Sequence, residues 1–170
     1  MNLDRLNQLP ENEAIKLFLQ CCSAESWASK MTASRPFSDH KQLQYQADNC
    51  WGQLQESDYL QAFEGHPKIG DVNSLRAKYA NTKELASNEQ SAVNQATNNT
   101  LEQLAEGNDV YLKKFGFIFI VCATGKSAQE MLDLLQQRLP NDRQTELKNA
   151  TEQQRQIFQI RLDKALEQTS

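Results

Sequence analysis

The sequence has few of the residues that build metal sites, disulfide frameworks or membrane spans. It contains only two histidines, and its four cysteines, at positions 21, 22, 50 and 122, show no CxxC spacing. Such a set supports neither a zinc site nor a disulfide framework. No apolar stretch reaches the roughly 18 residues that a helix needs to cross a bilayer. We therefore expect a cytoplasmic protein with reduced thiols, no metal and no membrane partner.

The charge composition also lacks a basic excess. The net charge is −4, the pI is near 5.2, and the 18 lysines and arginines are scattered along the chain. This distribution argues against nucleic acid as the main partner and favours a small molecule. The length of 170 residues is enough for a continuous core and a concave site. We therefore predict one domain that spans residues 1–170.

Helical periodicity covers most of the chain. Apolar residues recur every three or four positions, as in the stripe from Leu43 to Leu54, and helix-start and helix-stop residues lie between such stripes. Ser127 begins one predicted helix, which Pro140 stops, and Asn141 is the expected cap of the last helix. These patterns predict an all-α, single-domain bundle of about eight helices.

The most apolar run, residues 115–123, departs from this helical pattern. Its length and its β-branched and aromatic residues are typical of a strand. A lone strand in a helical chain would leave its backbone N–H and C=O groups without partners. We therefore predict one extended apolar segment that crosses the core, where a polar ligand could supply some of those partners. In the long helix before it, Gly107 marks a possible break.

The sequence His66-Pro67-Lys68-Ile69-Gly70 combines the best candidate for proton transfer with a rigid backbone. Pro67 fixes its own φ and pushes His66 out of the α region. An unperturbed imidazole titrates near pH ~6.5 and can act as an acid or a base at neutral pH. A loop that merely ends a helix is the commoner explanation of a His-Pro pair.

The pair Glu89-Gln90 and the residue Arg161 also have both a structural and a functional interpretation. Glu89 and Gln90 lie near the start of the long predicted helix, where an acid interacts favourably with the helix dipole. The neighbouring apolar residues instead suggest partial burial, and a buried carboxylate needs a partner. Arg161 lies beside the apolar stripe of the last helix, where a salt bridge with the stem over apolar surface is the ordinary explanation.

Taken together, these residues resemble the OHCU decarboxylases, which act on 2-oxo-4-hydroxy-4-carboxy-5-ureidoimidazoline (OHCU) in urate breakdown. The resemblance extends over nearly the whole chain. It rests on the motif from His66 to Gly70, on Glu89-Gln90, on the run from Phe115 to Ala123, and on Ile160-Arg161-Leu162. It implies an all-α fold, a homodimer, no cofactor, and decarboxylation of OHCU to (S)-allantoin in purine catabolism.

The same resemblance implies roles for individual residues. His66 would be the catalytic proton donor and Arg161 would contact the substrate. The other substrate-binding residues would be Pro67, Ala86, Ser87, Glu89, Gln90 and, through their backbone, Ile118, Phe119, Ile120, Val121, Cys122 and Ala123. Family members commonly have serine three residues before the glutamate, where this chain has Ala86. That hydroxyl contact is therefore either lost or supplied by Ser87.

Two other classes of function use the same observations. A helical interaction module would explain the acidic, helix-rich composition, but it gives no reason for a rigid His-Pro turn together with a Glu-Gln pair. A cofactor-free hydrolase or lyase that acts on another ureido compound would use the same groups. An assay with freshly generated OHCU separates these hypotheses.

Overall fold

The computed structural model describes residues 1–66 and 91–167, without the side chains of residues 91–97. All regular structure in these ranges is α-helical, which confirms the prediction of an all-α fold with about eight helices. The helices are α1 Leu3–Gln8, α2 Glu11–Cys21, α3 Glu25–Ala33, α4 His40–Gly52, α5 Glu56–Glu64, α6 Ser91–Phe115, α7 Ala128–Arg138 and α8 Arg143–Glu167. None of the helices in the described ranges has the length and apolar character to cross a membrane.

The chain divides into two compact units. The first consists of Met1–His66 and Ala150–Ser170, and the second of Pro67–Asn149. In the described ranges the first unit contains α1 to α5 and most of α8. The second contains α6, α7 and the first residues of α8. The single domain over residues 1–170 stays a prediction.

Trp27 is the central side chain of the first unit. It is fully buried, and its indole N–H donates to the backbone oxygen of Ala47 at 3.0 Å. Its ring centroid lies 4.8 Å from that of Phe158 in α8 and 5.9 Å from that of Phe18 in α2. Because a buried indole N–H needs an acceptor, this contact fixes the ring in one orientation. The core of the first unit therefore joins α2, α3, α4 and α8.

One predicted helix start, at Ser127, is confirmed, and another, at Asn141, is not. The side chains of Asp39 and Ser127 cap α4 and α7, as each accepts a backbone N–H of the first turn. The prediction that Asn141 caps the last helix is wrong. Asp142 is the cap, because its carboxylate accepts the backbone N–H of Thr145 at 2.7 Å.

The long helix α6 continues through Gly107 without interruption. The possible break at this glycine is therefore not found. A Cβ at Gly107 would lie 2.5 Å from Cδ2 of the buried Leu135 in α7. The glycine is thus explained by the close approach of α7 to α6, and not by a change in backbone conformation.

An aromatic cluster forms the core of the described part of the second unit. Helix α6 ends at Phe115, and Gly116 follows with a φ of +81°, a conformation that favours glycine. The rings of Phe115, Phe117 and Phe119 surround Tyr111, with centroid distances of 4.5, 5.9 and 5.3 Å. Residues 117–123 form neither helix nor strand. Their buried side chains are those of Phe117, Phe119, Ile120 and Cys122.

Candidate functional site

His66 follows the last turn of α5. The backbone N–H of Gly65 donates to Ala62 and that of His66 to Phe63, each at 3.2 Å, so the turn continues to the histidine. Gly65 has a φ of −71°, which any residue adopts. A Cβ at this position would overlap the hydroxyl oxygen of Ser23. The glycine therefore allows the end of α5, and with it His66, to lie against the loop after α2.

The imidazole of His66 contacts a glutamine that the sequence analysis did not identify. Nε2 of His66 lies 2.5 Å from Oε1 of Gln154 in α8, and Gln154 is fully buried. The sequence contains a pattern that indicates the burial of Gln154. Ala150 and Phe158, four residues before and after Gln154, are buried on the same stripe. A polar side chain on such a stripe needs a hydrogen-bond partner.

The surroundings of His66 disfavour its charged form. Burial lowers the pKa of this half-buried imidazole below its usual value of 6.5, and the positive charge of Arg161 lowers it further. The hydrogen bond with Gln154 acts in the opposite direction. The net result is a lowered pKa, which favours the neutral imidazole. An anionic group placed beside it would favour its protonation.

Arg161 lies in α8, in the same unit as His66. Its guanidinium Nη1 donates to the backbone oxygen of Cys21 at 3.2 Å, and the residue is exposed. Within residues 1–66 and 91–167, no carboxylate forms an ion pair with Arg161. The salt bridge that would explain this arginine on structural grounds is thus not found in that part of the chain.

The cysteines are buried in the described part of the chain, and no disulfide joins them. Burial raises the pKa of the Cys21 thiol to about 11 and that of Cys22 to about 12. A thiol with so high a pKa holds little thiolate at neutral pH and is a poor nucleophile. Cys21 and Cys22 therefore pack in the core of the first unit.

The predicted substrate-binding segment, residues 118–123, belongs to the second unit. The backbone oxygen of Ile120 accepts a hydrogen bond from Nη1 of Arg138 at 2.7 Å. The backbone oxygen of Cys122 accepts one from Nζ of Lys126 at 2.8 Å. Ile118, Val121 and Ala123 are half-buried, whereas Phe119, Ile120 and Cys122 are buried. Two carbonyl groups of this segment thus already have protein partners, which hold its backbone in place.

Five of the predicted site residues lie outside the described residues, namely Pro67, Ala86, Ser87, Glu89 and Gln90. The partner of Glu89, and the replacement of the family serine by Ser87, therefore stay predictions. Of the predicted site residues, His66 and Arg161 lie in the first unit, close enough for the charge of Arg161 to affect the pKa of His66.

These features define an all-helical protein with a candidate active site centred on one histidine. The sequence model of the OHCU decarboxylase family matches residues 7–163. The chain therefore belongs to the OHCU decarboxylase family, which confirms the resemblance seen in its sequence.

Individual relatives and a solved structure agree with this assignment. The chain is 34% identical over 144 residues to the uric acid degradation bifunctional protein TTL of Arabidopsis thaliana, with 85% of this chain and 44% of that protein covered. It is 24% identical to a 2-oxo-4-hydroxy-4-carboxy-5-ureidoimidazoline decarboxylase of Halalkalicoccus jeotgali, with 96% and 90% covered. A crystal structure of OHCU decarboxylase in the presence of (S)-allantoin matches with a TM-score of 0.70 and 34% identity, over 88% of this chain and 96% of that one.

The bifunctional relatives are longer than this chain. It spans less than half of the Arabidopsis protein, and 32% of the uric acid degradation bifunctional protein of a Bacillus species, to which it is 29% identical. The matched region is therefore one part of those proteins.

Proposed function

We propose that this chain decarboxylates OHCU to (S)-allantoin in urate breakdown, without a cofactor and with His66 as the proton donor. The observation that carries the proposal is the contact of His66 with the buried Gln154, beside the positive charge of Arg161, in a member of this family. The Halalkalicoccus relative is a decarboxylase of the same substrate by name, and the matching crystal structure was obtained with (S)-allantoin.

The chemistry of OHCU makes a cofactor unnecessary. When the bond between the ring carbon and the carboxylate breaks, its electron pair forms a double bond to the neighbouring ring carbon, which bears the ureido group. The C=N pair of that carbon moves to nitrogen, and CO2 leaves. A proton is then added to the ureido-bearing carbon, while the hydroxyl on the first carbon becomes a carbonyl group and loses its proton, and the ring nitrogen that received the C=N pair gains one. The substrate thus supplies its own electron sink.

The protein must orient the substrate, exclude water from the carboxylate and deliver the proton to one face of the ring. We assign the proton delivery to His66. The lowered pKa of its imidazole is compatible with this role, because an anionic substrate favours the imidazolium once it is bound. We assign substrate binding to Arg161 and to Pro67, Ala86, Ser87, Glu89, Gln90 and residues 118–123.

The test is an assay with freshly generated OHCU, whose loss is followed in the ultraviolet and compared with its spontaneous decay. The proposal predicts a faster loss with the protein and the formation of (S)-allantoin. OHCU that decays at its spontaneous rate, combined with turnover of another ureido compound, would support the alternative enzyme. No turnover of any ureido compound would favour the interaction module.

Replacing Arg161 with alanine is expected to raise the KM for OHCU about ten- to hundredfold, with the fold intact. A guanidinium contact to a polar ligand contributes about 1.5–3 kcal/mol. The pKa of His66 should also rise, because a neighbouring positive charge is removed. Arg155→Ala is the matched control, since Arg155 lies in the same helix and pairs with Asp48 and Glu152 at the surface. Unchanged kinetics in a folded Arg161→Ala variant would exclude a role in binding.

We further propose a cytoplasmic homodimer, as the resemblance to the family implies. The chain has a mass of 19.4 kDa. Light scattering at micromolar concentration should therefore give about twice this mass. A mass near that of a single chain would rule out the dimer under those conditions.

A further inference from the structure

We propose that Gln154 is a positioning residue that holds the Nε2–H of His66, so that Nδ1 carries the proton delivered to the substrate. The proposal rests on the assigned role of His66 and adds the nitrogen atom through which it acts. Gln154 does not touch the substrate in this scheme. It acts by fixing the tautomer and the orientation of the imidazole.

The geometry of the pair selects the tautomer. Oε1 of Gln154 lies 2.5 Å from Nε2 of His66, within hydrogen-bond distance. A carboxamide oxygen accepts hydrogen bonds but cannot donate them, so with the amide in this orientation Nε2 carries the hydrogen. This holds for both the neutral ring and the imidazolium. The proton gained or lost on titration is therefore the one on Nδ1.

Burial holds Gln154 against His66, because its amide nitrogen has no hydrogen-bond partner among the described residues and its oxygen contacts Nε2 of His66. Gln154 is fully buried, between the buried Ala150 and Phe158 on the same face of α8. The side chain cannot turn to water to satisfy its oxygen. Breaking the contact would leave a buried acceptor unpaired and would also free the ring of His66 to rotate. Gln154 thus links the imidazole of His66 to the buried core of the first unit.

The opposite orientation of the carboxamide makes a different prediction. If the amide group were turned by half a rotation, its N–H would donate to Nε2, and the neutral ring would carry its hydrogen on Nδ1. The imidazolium would then meet a donor, not an acceptor, and would be disfavoured. Arg161 is the charged residue that acts on His66 from α8, and its charge is the same in both cases. The tautomer therefore distinguishes the two orientations.

The tautomer can be measured without any assay of activity. The chain has only two histidines, His40 and His66, so protein labelled with ¹⁵N-histidine gives two sets of ring signals. His40 is exposed, and its Nε2 lies 2.9 Å from Oδ1 of Asp163. The ring signals that are absent from the variant His40→Gln belong to His40. In the wild type we expect His66 at high pH to be protonated on Nε2 and unprotonated on Nδ1. A neutral ring protonated mainly on Nδ1 would overturn the proposal.

Two variants of Gln154 test the consequence for catalysis. Gln154→Met removes the acceptor at similar length. It should lose the tautomer preference, lower the pKa of His66, and reduce kcat about ten- to hundredfold with little change in KM, because the ring is no longer fixed. Gln154→Glu keeps an acceptor and adds a negative charge. It should keep the Nε2–H tautomer, raise the pKa of His66 and retain more of kcat than Gln154→Met.

The failures of the two proposals are distinguishable. If OHCU is not a substrate but the Nε2–H tautomer is found and depends on Gln154, the proposed activity fails and the positioning stands. If OHCU is turned over and the tautomer is the same in the wild type and in a folded Gln154→Met variant, the positioning fails and the activity stands. Should Gln154→Met not fold, the wild-type tautomer and the Gln154→Glu pH titration still decide the question.

Discussion

Replacing His66 with asparagine is expected to lower the turnover of OHCU by about 10²–10⁴-fold, the usual contribution of general acid catalysis, while the KM changes far less. Asparagine is polar but shorter, and its amide group matches the position of Nδ1, not that of Nε2, which contacts Gln154. It cannot carry a proton to the substrate. The measurement is a comparison of kcat and KM for the wild type and the variant, with His40→Asn as the control histidine.

The pH dependence should separate the role of His66 from a general loss of packing. If the imidazolium is the proton donor, kcat/KM falls as the pH rises through the pKa of His66 in the free protein, which lies below 6.5. The carboxylate of bound OHCU should raise this pKa, so the corresponding decrease in kcat should occur at higher pH. Neither the decrease in kcat/KM nor the decrease in kcat should be observed with the His66→Asn variant.

The stereochemistry of the product gives an independent check on His66. An intermediate that is released into water can be protonated on either face, so residual product formed by His66→Asn should drift towards racemic allantoin. The wild type should give a single enantiomer. Near-normal turnover and enantiopure product from a folded His66→Asn variant would remove His66 from the mechanism.

The fold was largely predictable because helical periodicity and capping are local properties of the sequence. The stripe of α4, with Leu43, Ala47, Cys50 and Trp51, is buried as its spacing indicated. The possible break at Gly107 is not found. A glycine within a helical pattern can mark either a break or a close contact. Its reason lies in Leu135, 28 positions further along the chain, and no local pattern records that contact.

The candidate site was predictable only in part, for the same reason. The His-Pro pair identified His66 as a candidate for proton transfer. Its partner Gln154 lies 88 positions away in the sequence. The spacing of Ala150 and Phe158 could have shown that Gln154 is buried, but not which group it contacts. Periodicity therefore identifies a buried polar side chain, whereas its partner depends on the tertiary packing.

A buried ion pair in the second unit is expected to have the largest effect on stability. Nε of Arg138 donates to Oε1 of Glu146 at 2.7 Å, and Glu146 is fully buried. The same guanidinium donates to the backbone oxygen of Ile120 and, at 3.3 Å, to the hydroxyl of Tyr111. It also lies 4.7 Å from the ring centroid of Phe119. Arg138 thus joins α7, the start of α8 and the segment of residues 118–123.

Replacing Arg138 with methionine should lower the free energy of unfolding by about 3–5 kcal/mol, since the loss of one partner leaves a buried charge poorly compensated. The measurement is urea unfolding at neutral pH. Arg155→Met is the matched control, because the carboxylates that pair with Arg155 are about half exposed and such pairs contribute about 0–1 kcal/mol. Equal decreases in the free energy of unfolding of the two variants would contradict the larger contribution proposed for the buried pair.

The pH dependence of stability should change in the same variant. Burial tends to raise the pKa of Glu146, but hydrogen bonds from Asn141, Tyr111, Asn149 and Arg138 outweigh it and hold the pKa below its usual value. The charged carboxylate therefore stabilises the fold above the unfolded pKa of about 4.3, and this contribution is lost as the pH falls through the lowered value. Without Arg138 the pKa of Glu146 rises, so acid unfolding should begin at higher pH.

A second substitution shows how much of the loss comes from the unpaired charge. Glu146→Gln, added to Arg138→Met, replaces the buried carboxylate with an uncharged amide that still accepts hydrogen bonds from Tyr111 or Asn149. The double variant should therefore be more stable than Arg138→Met alone, because it contains no uncompensated buried charge. It should remain less stable than the wild type, since the backbone oxygen of Ile120 has still lost its donor. If the double variant is no more stable than Arg138→Met, the cost arises from the lost contacts to Ile120 and Phe119, and not from the charge of Glu146.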